Sequence, residues 1–234
     1  FPNVIITNIN ASIDSVLLPV MSNEQDDIRK IKFMTSRAIK TSTYLMAPLM
    51  MGLAFTADAV VELLLTDKWL PCIMFLRVFC ITYMFYPIHT ANLNAIKALG
   101  RSDLFLKLEI TKKIIGLILL AISVQISVKA MAYSLLISSV CSQIINSFPN
   151  RKLLGYSYIQ QLKDILPNIV LAVFMGMIVY TIHFMGLKPI FTLIIQILLG
   201  IVVYLGGSIF TKNSSFLYLL GIMEPALRKT LKRG

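Results

Sequence analysis

The apolar residues of this chain are gathered into blocks of about 20, and clusters of Lys and Arg separate one block from the next. A helix needs about 20 residues to cross a hydrocarbon layer roughly 30 Å thick. A soluble core alternates apolar and polar positions on a far shorter scale, so the pattern restricts the chain to membrane-spanning helices. Charge agrees: 14% of residues are charged, against about a quarter in a soluble domain. The expected fold is an all-α, polytopic membrane protein with about seven transmembrane helices, at Phe1 to Met21, Thr41 to Leu65, Leu70 to Leu99, Leu104 to Gln125, Val128 to Phe148, Ile165 to Gly186 and Pro189 to Phe210. The first block is interrupted by Asn3, Asn8, Asn10 and Asp14, as suits a helix beside a polar cavity; the bland alternative is a juxtamembrane segment.

A formal net charge of +11 raises the possibility of nucleic-acid binding, which the placement of the 22 Lys and Arg residues excludes. Sorting the connections alternately to two sides puts Arg29, Lys30, Lys32, Arg37, Lys40, Lys97, Arg101, Lys107, Lys112, Lys113, Arg151, Lys152, Lys163, Lys212, Arg228, Lys229, Lys232 and Arg233 on one side. Lys68, Arg77, Lys129 and Lys188 remain on the other. The positive-inside rule makes the first side cytoplasmic, with the C-terminus there.

Two of the basic connections have an apolar face. Ile28, Ile31, Met34 and Ala38 recur at helical spacing between Asp26 and Lys40, and Phe216, Leu220, Met223 and Leu227 do so ahead of the final basic cluster. Both read as segments lying on an anionic membrane surface or as plain topology determinants. Residues 1–211 thus form a transmembrane domain and 212–234 a basic amphipathic tail. Thr66-Asp67-Lys68-Trp69 is an outer turn whose Trp69 suits the headgroup region. Cys72, Cys80 and Cys141 lie in apolar stretches and read as small core residues. Phe1 is not an initiator Met and no signal peptide precedes the first block, so the chain is expected to begin inside a longer protein.

Enzymatic signatures are missing: there is no Gly-rich phosphate loop, HExxH, GxSxG or metal-ligand cluster, so neither catalysis nor a cofactor is expected. Polar residues inside the apolar blocks are then the informative ones, because an ionisable group in lipid is expensive unless it faces protein or water. Tyr86, Thr90, Asn94 and Lys97 share one face of the third helix and are candidates for lining a cavity. Pro87 in the same helix removes a backbone donor and is a candidate hinge. Against this, the stripe serves equally well for helix packing, and Lys97 for snorkelling. Arg77, about 10 Å below the outer end of its helix, calls for a partner, and Asp58 or Glu62 is placed to supply one; attraction of a phosphate is the alternative. Asp14, with Asn10 one turn behind it, is suited to ion coupling or to lining a cavity. Glu109 with Lys112 and Lys113 reads as local pairing at a helix entry, and His89 and His183 as packing residues.

Three stretches resemble one family. Leu17-Leu18-Pro19-Val20-Met21-Ser22 with Gln25-Asp26-Asp27 is similar to the helix end and acidic loop start of Wzx-type polysaccharide exporters. Leu64-Leu65-Thr66-Asp67-Lys68-Trp69 resembles their outer turn, Leu-x-Gly-x-Lys-Trp, with Thr66 in place of the Gly. Tyr86 to Asp103 is similar to their helix-to-loop stretch. The resemblance implies the 14-helix fold of the multidrug, oligosaccharidyl-lipid and polysaccharide exporters, this chain supplying the second lobe and the trailing helices. It also implies export of undecaprenyl-pyrophosphate-linked oligosaccharide across the bacterial inner membrane, with membrane lipids and glycan-assembly proteins such as a polymerase as partners. The rival readings are a cation-coupled small-molecule antiporter using a carboxylate such as Asp14, and a membrane scaffold for glycan assembly.

Overall fold

The computed structural model describes residues 2–221, and among them the chain is helical throughout. The elements are α1 (Pro2–Asn23), α2 (Ile28–Phe55), α3 (Ala57–Leu65), a 3-10 turn (Asp67–Cys72), α4 (Ile73–Met84), α5 (Tyr86–Ala98), α6 (Ser102–Val124), α7 (Val128–Leu153), α8 (Tyr158–Thr181), a second 3-10 turn (Ile182–Met185) and α9 (Pro189–Phe210). Residues 214–221 add a short helix at the C-terminal side. Joined where they abut, these elements make seven long rods at the seven predicted places. Four spans are long and apolar enough to cross a membrane: Lys68–Ala98, Val128–Leu153, Tyr158–Met185 and Pro189–Phe210, with a fifth if α2 and α3 are one bent span. α6 is long enough but carries Lys107, Glu109, Lys112 and Lys113 in its first half.

Local chemistry sets the ends. The Asp27 carboxylate accepts the amides of Arg29 and Lys30 and starts α2, and the Ser127 hydroxyl accepts the amide of Ala130 at the start of α7. Ser157 and Gln160 form a reciprocal capping box on α8, and Pro189 opens α9. Gly155 closes the turn after α7 at φ 60°, a left-handed conformation that other residues rarely adopt.

Two features differ from the sequence expectation. The basic segment 26–40 is not a separate surface loop: α2 runs unbroken from Ile28, with Ile31 and Ile39 fully buried. The Thr66–Trp69 turn is larger than expected and continues as a 3-10 helix to Cys72.

α2 runs through the middle of the bundle against α8, α4 and α5, while α6 and α7 pair beside it and α9 packs on α8 and α3. One core cluster, rich in methionine, joins Met46, Met50, Cys80, Met84, Met175 and Tyr204. A second joins Ile31, Ile39, Ile88, Ala95, Tyr156 and Ile165 towards the basic end. Large apolar side chains such as Ile114, Leu117, Phe174, Leu198 and Val202 point outward and are more than half exposed. A soluble monomer does not leave so broad an apolar surface open to water; lipid is its natural solvent.

Candidate functional site

The bend between α2 and α3 measures 67°, with neither Pro nor Gly at Phe55, Thr56 or Ala57. Two contacts hold it. The Phe55 ring lies on Gly176 of α8, where an added Cβ would fall 2.1 Å from the ring, and meets Tyr180 edge-on at 6.1 Å. From α4, Arg77 donates Nε to the Ala54 carbonyl at 3.2 Å and Nη2 to the Asp58 carboxylate at 2.5 Å. In a straight helix that carbonyl would accept the amide four residues on. Arg77 therefore closes both faces of the bend, capping the end of α2 and pairing with the acid in the first turn of α3.

The stripe lies elsewhere. Tyr86, Thr90 and Asn94 are on α5, with Thr90 and Asn94 buried and Tyr86 half-buried. Tyr86 is about 13 Å along the axis from Arg77. Lys97 is exposed and sits 4.8 Å over the Phe105 ring. α5 packs along α1, so the helix carrying Asn10 and Asp14 and the helix carrying the stripe are neighbours. The side chains of Asn10 and Asp14 themselves lie outside the described residues. Pro87 stands at the start of α5, and the helix is interrupted at Phe85 just before it.

A buried amide network, not anticipated from the sequence, fills the junction of α5, α7 and α8. Asn92 Nδ2 faces the Ile88 carbonyl, the Ser147 hydroxyl and Gln161 Oε1 at 2.8, 3.1 and 2.7 Å. Its Oδ1 accepts from Asn150 at 2.7 Å and Gln161 at 3.0 Å. Asn146 meets His89 Nδ1 at 2.7 Å, and Tyr158 donates to Gln143 at 3.2 Å. Asn92, Asn146, Asn150 and Gln161 are all fully buried. The signal was present on α7, where Gln143, Asn146, Ser147 and Asn150 fall on one helical face. Next to the network, Lys112 is 7% exposed and pairs with Glu109. It is more deeply placed than a lysine at a helix entry.

At the basic end a latch joins α2 to α8. Asp164 accepts from the Tyr156 hydroxyl at 2.6 Å and the Ser36 hydroxyl at 2.9 Å, and pairs with Lys40 at 3.0 Å; Lys32 donates to the Gly155 carbonyl at 2.8 Å. Burial and the neighbouring Asp164 carboxylate raise the Tyr156 pKa, which keeps the phenol a proton donor. Among the described residues no group of three or more His, Cys, Asp or Glu is placed to hold a metal ion.

Residues 1–74 match the family described as "Polysaccharide biosynthesis protein". Among solved structures the chain is similar to the lipid II flippase MurJ in its inward closed conformation, at a TM-score of 0.73 and 22% identity over 89% of this chain. The chain has the MurJ fold. The match spans 44% of the length of that protein. Comparison with curated proteins gives no match.

Proposed function

We propose that the full-length protein is a flippase that moves undecaprenyl-pyrophosphate-linked oligosaccharide across the bacterial cytoplasmic membrane for surface polysaccharide assembly. The observation that carries this reading is the MurJ fold in a chain whose first 74 residues match a polysaccharide biosynthesis family. The adjacency of α1 and α5 supports it locally, since the helix carrying Asn10 and Asp14 stands beside the helix carrying Tyr86. The basic end faces the cytoplasm. The substrate enters a midplane cavity for which Asn10, Asp14 and Tyr86 are the lining candidates and which other parts of the full-length protein complete, while its lipid tail stays in the bilayer. Thr90 and Asn94 are buried within this chain and support that wall from behind. Alternating access follows from rocking of the two lobes, with the interruption before Pro87 as a hinge. Arg77 belongs to the bend and acts on transport through it.

Reconstitution of the full-length protein in vesicles with a lipid-linked oligosaccharide tests the reading. Asp14→Asn is expected to slow flipping at least tenfold while thermal stability stays near that of the parent. Parental flipping by the Asp14→Asn protein would remove Asp14 from the cavity, and proton- or sodium-driven efflux of small molecules without flipping would favour an antiporter.

A further inference from the structure

The two basic amphipathic segments picked out by the sequence are about 180 residues apart, and the structure brings the start of the second, residues 214–221, onto the first; Met223, Leu227 and the final basic cluster lie outside the described residues. Asn213 donates to Asn168 Oδ1 at 2.9 Å and its own Oδ1 accepts the Ser215 amide at 2.9 Å, which fixes the chain as it leaves α9. Phe216 then packs on Tyr44 at 6.2 Å, so the 214–221 helix lies across α2 instead of trailing away. On the outer side of this crossing the Arg37 guanidinium lies over two rings, Phe33 of α2 at 5.3 Å and Tyr218 of the short helix at 4.6 Å.

Three properties decide what this surface meets. Phe33, Leu217, Tyr218 and Leu220 are 58%, 53%, 38% and 46% exposed, an apolar cluster at the end of the spans and not on their flanks. Arg37 stands one turn before Thr41, where the apolar block begins, or about 6 Å along the axis, at headgroup depth. Lys30, Lys32 and Lys40 are engaged by Glu24, the Gly155 carbonyl and Asp164, whereas among the described residues Arg37 contacts rings and no carboxylate. Rings cover a guanidinium by its face and leave the in-plane N–H groups, which match a phosphate bidentately.

We propose that Phe33, Arg37, Leu217, Tyr218 and Leu220 form a docking surface for anionic phospholipid of the leaflet at the basic end, the rings and Leu side chains entering the acyl boundary and Arg37 binding the phosphate. It fixes the α2 and C-terminal segments to the membrane surface. Lipid docking is independent of transport, so this inference and the proposed function fail separately.

Its test is photo-crosslinking of the full-length protein carrying benzoylphenylalanine at Leu217, in vesicles of equal parts phosphatidylethanolamine and phosphatidylglycerol. Phosphatidylglycerol adducts are expected to exceed those of phosphatidylethanolamine about fivefold. The preference should decline at high salt in the unsubstituted protein. Arg37→Gln should bring the ratio close to one, and Lys163→Gln, an exposed lysine of α8 outside the five side chains named, should leave it unchanged. Equal labelling of both lipids, an equal effect of Lys163→Gln, or adducts to protein alone would each overturn the proposal.

Discussion

Thr66 stands where the resembled exporters carry Gly, and its backbone, at φ 76° and ψ 165°, lies in a region open to Gly and hostile to a side chain branched at Cβ. Such strain amounts to about 1–3 kcal/mol. Thr66→Gly should therefore stabilise the full-length protein by about 1 kcal/mol after the larger chain entropy of Gly is counted, read as a melting temperature raised by about 2–4 °C. A lower melting temperature would show that the turn is not strained. At Arg77 the bracket makes a different prediction from phosphate capture. Arg77→Met and Asp58→Asn should lower stability and export together, and a double-mutant cycle should give a coupling of about 1–3 kcal/mol. Loss of export in Arg77→Met with full export in Asp58→Asn would return Arg77 to the substrate. Sequence reading located the Asp58 partner because the two residues lie at similar depth. It did not reach the Ala54 carbonyl, since Phe55-Thr56-Ala57 holds no residue that ordinarily breaks a helix.

Helix positions were legible as far as hydropathy reaches. Apolar blocks marked all seven rods, but α2 begins at Ile28 and not Thr41, because its first turns carry Arg29, Lys30, Lys32, Arg37 and Lys40 and bury only Ile31, Thr35 and Ile39. The Asp27 cap announces that start more accurately than hydropathy. The amide network was less legible for a related reason: Asn92, Ser147, Asn150 and Gln161 are scattered over α5, α7 and α8 and become one feature only when the helices pack. The packing of α2 on α8 depends on Gly176 leaving room for Phe55. Gly176→Ala should cost about 1–3 kcal/mol, with Phe55→Leu in the same chain recovering part of it in thermal unfolding. An Ala at 176 that is tolerated without loss would mean that the bend does not rest on this contact.

The whole molecule joins a bundle wrapped in outward apolar side chains to an interior that holds amides, the buried Lys112 paired with a half-buried Glu109, and the α1–α5 contact. The similarity covers 44% of the MurJ chain, so the proposed cavity needs walls beyond those this chain supplies. The fold class followed from the spacing of apolar blocks and the family resemblance from three short stretches. The burial of Thr90 and Asn94 was not legible, because a polar stripe at helical spacing reads alike whether it faces a cavity or a neighbouring helix. The central claim is that the full-length protein carries lipid-linked oligosaccharide from one leaflet to the other. The most direct measurement is the leaflet distribution of that lipid in cells depleted of the protein, read with a sugar-modifying probe that cannot cross the membrane. Accumulation on the cytoplasmic side is the predicted result, and undiminished exposure on the outer side would contradict the account.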